Sequence, residues 1–327
     1  MSSNKQPPSP ATPRSTDTAI TRASPYGTQA EPTYSGITSF LRRRYGKDLN
    51  GVDVAVFGAP FDLATTNRPG ARLGPRAIRA ASASLAWCKP YLWDFDPLDR
   101  LNLLDYGDLY FDPGRPDEAP ERLYEQVREL VAADVVPLAL GGDHFISFPV
   151  LRALHERHGP LSLIHFDAHS DTWRDEDGRI DHGTMFFHAA RLGYVDPARS
   201  IQLGMRTHNA EDHGFQVLSA DWIHRHGLVH AIELIRARVV EHPCYVTFDV
   251  DFLDPAFAPG TGTPVCGGFS THDALTLIRG LTGLNVTGMD VVEVAPAYDQ
   301  SDITALAAAS VAHELLAVLA SRRPARA

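Results

Sequence analysis

Three apolar runs in this chain each end in carboxylates and imidazoles, and that pattern constrains the fold more tightly than any other feature. The runs are VVPLALGGDHF, ending in Asp143 and His144; LSLIHFDAHSD, ending in Asp167, His169 and Asp171; and CYVTFDVDFLDP, carrying Asp249 and Asp251. Short aliphatic runs of this kind read as strands buried on both faces. In an extended chain side chains alternate faces, so Asp167, His169 and Asp171 point one way, as do Asp249 and Asp251. Carboxylates and imidazoles at the mouth of a buried strand are costly unless something positive binds them. A metal ion is the simplest candidate. Each segment alone has a plainer reading, because an Asp after a strand often caps a helix or closes a turn. Six donors on three strand ends make coincidence a poor explanation.

From Gly51 onward, strand-like runs alternate with helical patterns, the signature of a parallel sheet covered by helices. Candidate strands are VDVAVFGAP, LNLLDYGD, VVPLALGG, LSLIHFD, SIQLGMR, CYVTFDVD and VTGMDVVEV. Helical spacing appears in APERLYEQVRELVAA, through Leu123, Val127 and Leu130, and in SFPVLRALHERHG, with Gly159 as its stop. ITALAAASVAHELLAVLAS reads as a C-terminal helix on the sheet. The expected fold is α/β, a three-layer α/β/α arrangement with a mostly parallel sheet of about eight strands. Residues 35–327 are expected to form one catalytic domain, preceded by a flexible tail over 1–34. In open parallel sheets ligands bind at the carboxyl ends of strands, which is where all six donors fall.

Composition narrows the partners. A formal net charge of -10 leaves no basic stripe for a nucleic acid and is compatible with a small cationic substrate. Cys88, Cys244 and Cys266 are odd in number and lack CxxC spacing, which fits buried thiols in a reducing compartment. No apolar stretch is read as approaching the roughly 18 residues of a membrane span. The first thirty-odd residues are rich in Ser, Thr and Pro and lack the apolar core of a secretory signal; their prolines also oppose an amphipathic transit helix. The expectation is a cytoplasmic protein with no nucleic-acid or membrane partner.

Two imidazoles and four carboxylates, with no thiolate, favour Mn(II) over a structural zinc. Six side chains exceed the needs of one open catalytic ion, so two Mn(II) per chain with bridging carboxylates are expected. Four aspartates balance two divalent ions, leaving room for one bridging hydroxide. Ions about 3.5–4 Å apart would bring the pKa of that water well below the bulk value of about 15.7.

The segments GGDH (141–144), FDAHSD (166–171), DHGTMF (181–186), FDVDFLDPAFAPGTGTP (248–264) and GMDVVEVAPAYDQSDITALAAA (288–309) resemble the ureohydrolase family of arginases and agmatinases, its agmatinase branch most closely. The resemblance runs from about residue 35 to the end. It implies an arginase-like fold and a binuclear manganese centre that hydrolyses a guanidinium group to urea. By motif, His144 would bind one ion and His169 the other, Asp167 and Asp249 would bridge, Asp171 would complete the ligand set of the first ion and Asp251 that of the second. His182 corresponds to the family's proton shuttle, and Glu293 to the carboxylate that holds the guanidinium. A carboxylate suits that task because it accepts paired N–H bonds from the planar fork. The bland alternatives are a loop-capping role for His182 and a salt bridge from Glu293 to Arg206. Asp143 and His165 read as residues that orient ligands, and His155, His158, His224, His226 and His230 as surface residues. The resemblance also implies a homo-oligomer, a trimer or hexamer.

Substrate identity rests on the residues just beyond the Asp167–Asp171 segment. Arginases continue with Asn and Ser or Thr side chains that recognise the amino-acid end of arginine. Here the chain reads TWRDEDGRIDHG, with Trp173 and an acidic group at Asp175, Glu176 and Asp177. An apolar wall with carboxylates suits a chain ending in an ammonium, as agmatine does, giving urea and putrescine. DEDG is equally readable as a solvated turn. Hydrolases of 4-guanidinobutyrate or 3-guanidinopropionate would want a cation, which Arg174 or Arg179 offers. Two further classes stand beside these: a single-zinc hydrolase of the histone-deacetylase type, and a silent relative used for assembly or regulation.

Overall fold

The computed structural model describes Ala19, residues 32–175 and residues 177–325. The expected tail over 1–34 lies outside the described residues except at Ala19 and 32–34, and Glu176 lies outside them as well.

Eight strands form one sheet: β1 (Val54–Ala59), β2 (Leu103–Asp108), β3 (Val136–Gly141), β4 (Ser162–Phe166), β5 (Ile201–Met205), β6 (Gln216–Ser219), β7 (Cys244–Asp249) and β8 (Val286–Val292). Their order is β2-β1-β3-β8-β7-β4-β5-β6, and every neighbouring pair is parallel. The helices are α1 (Gly74–Ser82), α2 (Ala119–Ala132), α3 (Ser147–His158), α4 (Met185–Arg191), α5 (Ala220–His226), α6 (Leu228–Val239), α7 (Thr271–Arg279) and α8 (Ile303–Ala320).

Strand alternation splits the core into two layers. Along β1, Val54 and Val56 face one side with α1, α5, α6, α7 and α8, while Ala55 and Phe57 face the other with α2, α3 and α4. Both faces are therefore dry, which is why the strands read as continuous apolar runs rather than alternating ones. Each fully buried aliphatic side chain contributes roughly 1.5–3 kcal/mol through removal from water. Gly159, at φ 73, ends α3 as its sequence predicts.

Four expectations need correction. β6 does not appear among the candidate strands; it is a four-residue edge strand buried mainly at Leu218, too short and too polar to show a pattern. The helix α8 is long and apolar enough to cross a membrane by length and composition, contrary to the reading that no stretch approaches that size. Most of it is buried against the sheet and α1, so its apolarity reflects core packing. Of the three thiols only Cys244 is buried, whereas Cys88 and Cys266 are exposed. Of the five histidines read as surface residues, His224, His226 and His230 are exposed. His155 and His158 are only half exposed, and the His155 ring packs on Tyr194.

Candidate metal centre and substrate pocket

Three of the four central strands, β3, β7 and β4, deliver the six candidate metal donors at their carboxyl ends, and β8 between β3 and β7 leads to Glu293. Convergence arises in the turns after them rather than by strand alternation. β4 stops at Phe166, and Asp167–Asp171 fold through successive bends, with Asp171 left-handed at φ 50. Asp249 is the last residue of β7, and Asp251 sits in the 3-10 turn after it, where its N–H donates to Asp249 Oδ1 at 2.8 Å. His144 opens a similar turn after β3, with Asp143 capping it through the Phe145 N–H. Gly142 makes that approach possible, since a Cβ there would lie 2.3 Å from the carbonyl oxygens of Ala59 and Phe61.

Two donor groups result, one from His144, His165, Asp167 and Asp171 and the other from Asp167, His169 and Asp251; they share Asp167. The Nδ1 of His144 lies 2.9 Å from Asp171 Oδ2, 3.0 Å from Asp167 Oδ2 and 3.4 Å from Asp249 Oδ2. It is buried and makes no well-formed hydrogen bond. At the ring's other edge, Nε2 lies 2.7 Å from Thr247 Oγ1, whose hydroxyl donates to Asp290 at 2.5 Å. Thr247 therefore accepts from Nε2–H, and Nδ1 is the position open to a cation. His169 repeats the arrangement, with Nδ1 at 3.0 Å from Asp251 and 3.3 Å from Asp167. His165 differs. Its Nδ1 receives the Gln202 amide at 3.1 Å, so Nε2–H donates to Asp167 Oδ2 at 2.8 Å, and it orients that carboxylate.

The electrostatics call for positive charge. Burial and neighbouring carboxylates raise the Asp249 and Asp251 carboxyls above their ordinary range. Burial also acts on Asp167, but His165, His144 and His169 outweigh it and hold that group well below the range. Burial pulls His144 and His169 down, yet their carboxylate partners push both up, His169 to about 12. Each imidazole thus faces carboxylate oxygens across an Nδ1 that must carry a proton or a metal ion. Imidazole nitrogens and carboxylate oxygens without thiolates fit a borderline-to-hard divalent ion, so this donor set passes the test for a metal centre.

Glu293 and His182 stand beside it. Glu293 follows β8 at φ 66 and is 1% exposed. Its Oε1 accepts from the His144 N–H at 2.9 Å and lies 3.0 Å from His182 Nδ1, while Oε2 is buried without a partner. It does not pair with Arg206, which donates to the carbonyl of Gly204 in β5 and to those of Asp251 and Val265 in the 251–265 loop. The Nε2 of His182 receives the Thr66 N–H at 3.0 Å and lies 2.8 Å from the Thr66 hydroxyl. Burial lowers its pKa, but the Glu293 carboxylate outweighs this and brings it to about 9.

A pocket of about 410 Å³ opens onto His182 and the donor groups, lined by His169, Asp171, Trp173, Asp181, His182 and Asp249 among others. The Trp173 N–H donates to Gly183 O at 3.0 Å and the Phe186 N–H to Asp171 O at 3.0 Å, which brings the 171–173 and 181–186 segments together. Trp173 forms a pocket wall as its sequence position predicts. The acidic pair Asp175 and Asp177 instead lines a neighbouring cleft that shares Trp173 and Arg179 with this pocket. Asp181 does line the pocket and was singled out by no acidic cluster; its place inside DHGTMF, beside His182, was the available signal.

A parallel α/β sheet bearing two imidazole–carboxylate donor groups that share one aspartate defines a binuclear metal-centre protein. A family model described as the arginase family matches residues 52–318. The chain is 50% identical over 309 residues to the agmatinase of Chromobacterium violaceum, covering 94% of this chain and 96% of that one. A crystal structure of a hypothetical agmatinase from Burkholderia thailandensis superposes with a TM-score of 0.90 at 54% identity, over 93% of this chain and 97% of that one. Proclavaminate amidino hydrolase from Streptomyces clavuligerus matches with a TM-score of 0.84 at 39% identity, over 89% and 99%. The chain belongs to the arginase family.

Proposed function

We propose that this chain hydrolyses agmatine to putrescine and urea at a centre holding two Mn(II) ions. The observation that carries the reading is the unpartnered Glu293 Oε2 beside the paired donor groups, in a chain half identical to an agmatinase along nearly its whole length. His144, Asp167, Asp171 and Asp249 would hold one ion, and His169, Asp251 and the same Asp167 and Asp249 the other. When bound, the ions supply the Lewis acidity that makes a water acidic enough to act near neutral pH.

The chain's own residues do the rest. Glu293 Oε2 accepts the guanidinium N–H groups, and because Oε1 is already tied to the His144 amide and His182, the carboxylate cannot rotate away. Positioning of this kind fixes the guanidinium carbon before reaction. His182 holds its proton at Nδ1 against Glu293 Oε1, because Nε2 accepts the Thr66 N–H, and the ring lines the pocket. That proton is available to the departing amine. Trp173 keeps bulk water from the methylene chain.

Arg179, at the pocket rim, supports a second reading in which a carboxylate tail is recognised, as in 4-guanidinobutyrate. Urea release from both compounds, with metal content determined on the same sample, separates the two. Faster release from 4-guanidinobutyrate at matched subsaturating concentration would overturn the agmatine reading. A cytoplasmic homo-oligomer, trimer or hexamer, completes the proposal and is checked by light scattering and cell fractionation.

A further inference from the structure

We propose that Asp181 selects guanidines carrying a terminal ammonium, with Arg179 as its resting counter-ion; this rests on the guanidine-hydrolase reading above. Among the carboxylates lining the pocket, Asp171 and Asp249 face His144, which leaves Asp181 without a part in the metal centre. Its side chain is 14% exposed. One oxygen is fixed, since Oδ1 accepts the Gly183 N–H at 3.1 Å. The other faces Arg179 Nη2 at 3.3 Å, from a side chain that is 76% exposed. A solvated arginine in such a pair contributes little and is readily displaced.

Displacement leaves no stranded charge. Arg179 Nε also lies 3.6 Å from Asp175 Oδ2, so the guanidinium can stay with Asp175 while a substrate ammonium takes Asp181. With two carboxylates around one arginine, the resting group carries a single uncompensated negative charge, which one ammonium neutralises. The tail also has a path. Asp181 precedes His182 in the chain, and the Trp173 ring lies over Gly183, where a Cβ would meet Cε3 at 3.2 Å. A methylene chain whose guanidinium enters beside His182 would therefore run along an indole face toward Asp181. A carboxylate tail would instead meet Asp181 as a like charge unless Arg179 turned inward.

Asp181→Asn tests this, because Asn keeps the Oδ1 acceptor for Gly183 and removes only the charge. The readout is the ratio of kcat/KM for agmatine to that for 1-butylguanidine, which has the same chain without the amine. The ratio should fall by about 10- to 100-fold in the variant, chiefly through KM for agmatine, as expected on loss of a charge-assisted contact. A ratio within twofold of wild type, or an equal fall for both compounds, overturns the assignment. Should the variant not fold, Arg179→Gln decides. Freed of its competitor, Asp181 should bind agmatine with a KM about 2- to 5-fold lower, as for loss of an exposed ion pair; an unchanged or higher KM overturns the role. The hydrolase reading is judged separately on wild-type urea release, whereas the ratio is insensitive to overall rate.

Discussion

The main-chain N–H of His144 donates to Glu293 Oε1 at 2.9 Å, so a candidate metal donor and the carboxylate proposed to hold the guanidinium are joined by one hydrogen bond. The same oxygen meets His182 Nδ1 at 3.0 Å. The proposed substrate anchor, proton carrier and metal donor therefore sit in one fixed frame, and each can be tested apart from the others.

Glu293→Gln keeps the Oε1 acceptor and removes the charge. Metal content and fold should be unchanged, while kcat/KM for agmatine should drop by about 100-fold or more, the scale of losing a positioned electrostatic group. Steady-state kinetics with metal analysis on the same preparation decides the point; retention of full activity is incompatible with a guanidinium-holding role.

Asp167 belongs to both donor groups and Asp251 to one. Asp167→Asn should therefore lose both ions, whereas Asp251→Asn should keep about one per chain. Equal losses in the two variants, measured by elemental analysis after dialysis, would contradict a shared bridge.

Phe252 follows Asp251 and stacks on Phe269, with ring centroids 4.5 Å apart and planes within 8°, and meets Phe166 edge-on at 5.3 Å. Phe252→Ala should destabilise the protein by about 3–5 kcal/mol through the cavity it leaves. Denaturant unfolding should show a lowered midpoint with little change in slope.

His313 in α8 is buried, its Nε2 has no partner, and burial, assisted by Arg43, lowers its pKa to about 4. The ring is thus neutral when folded, while an unfolded chain takes up a proton near pH 6.5. Stability from this group is present above pH 6.5 and is lost as pH falls toward 4. His313→Leu should flatten that part of the stability–pH curve; an unaltered slope between pH 6.5 and 4 would exclude the effect.

Much of this was legible because buried parallel strands write themselves as unbroken aliphatic runs, and because ionisable residues at their ends stand out against that background. Seven of the eight strands and the α2, α3 and α8 helices follow from it. The edge strand Gln216–Ser219 was illegible since only one of its residues is fully buried. The six donors were visible by type, but their convergence depends on bends after each strand and on the left-handed Asp171, which no period-2 pattern encodes. Asp181 was missed for a related reason. Its acidity is ordinary in sequence, and the pairing of Trp173 with Gly183 brings its segment to the pocket while Asp175 and Asp177 line a neighbouring cleft.

The most direct measurement is urea release by the purified protein across agmatine, 4-guanidinobutyrate, 3-guanidinopropionate and arginine, with metal counted on the same sample. The predicted result is fastest release from agmatine, together with about two manganese ions per chain and loss of activity on chelation. A single zinc per chain, or urea released fastest from a carboxylate-tailed compound, would contradict it.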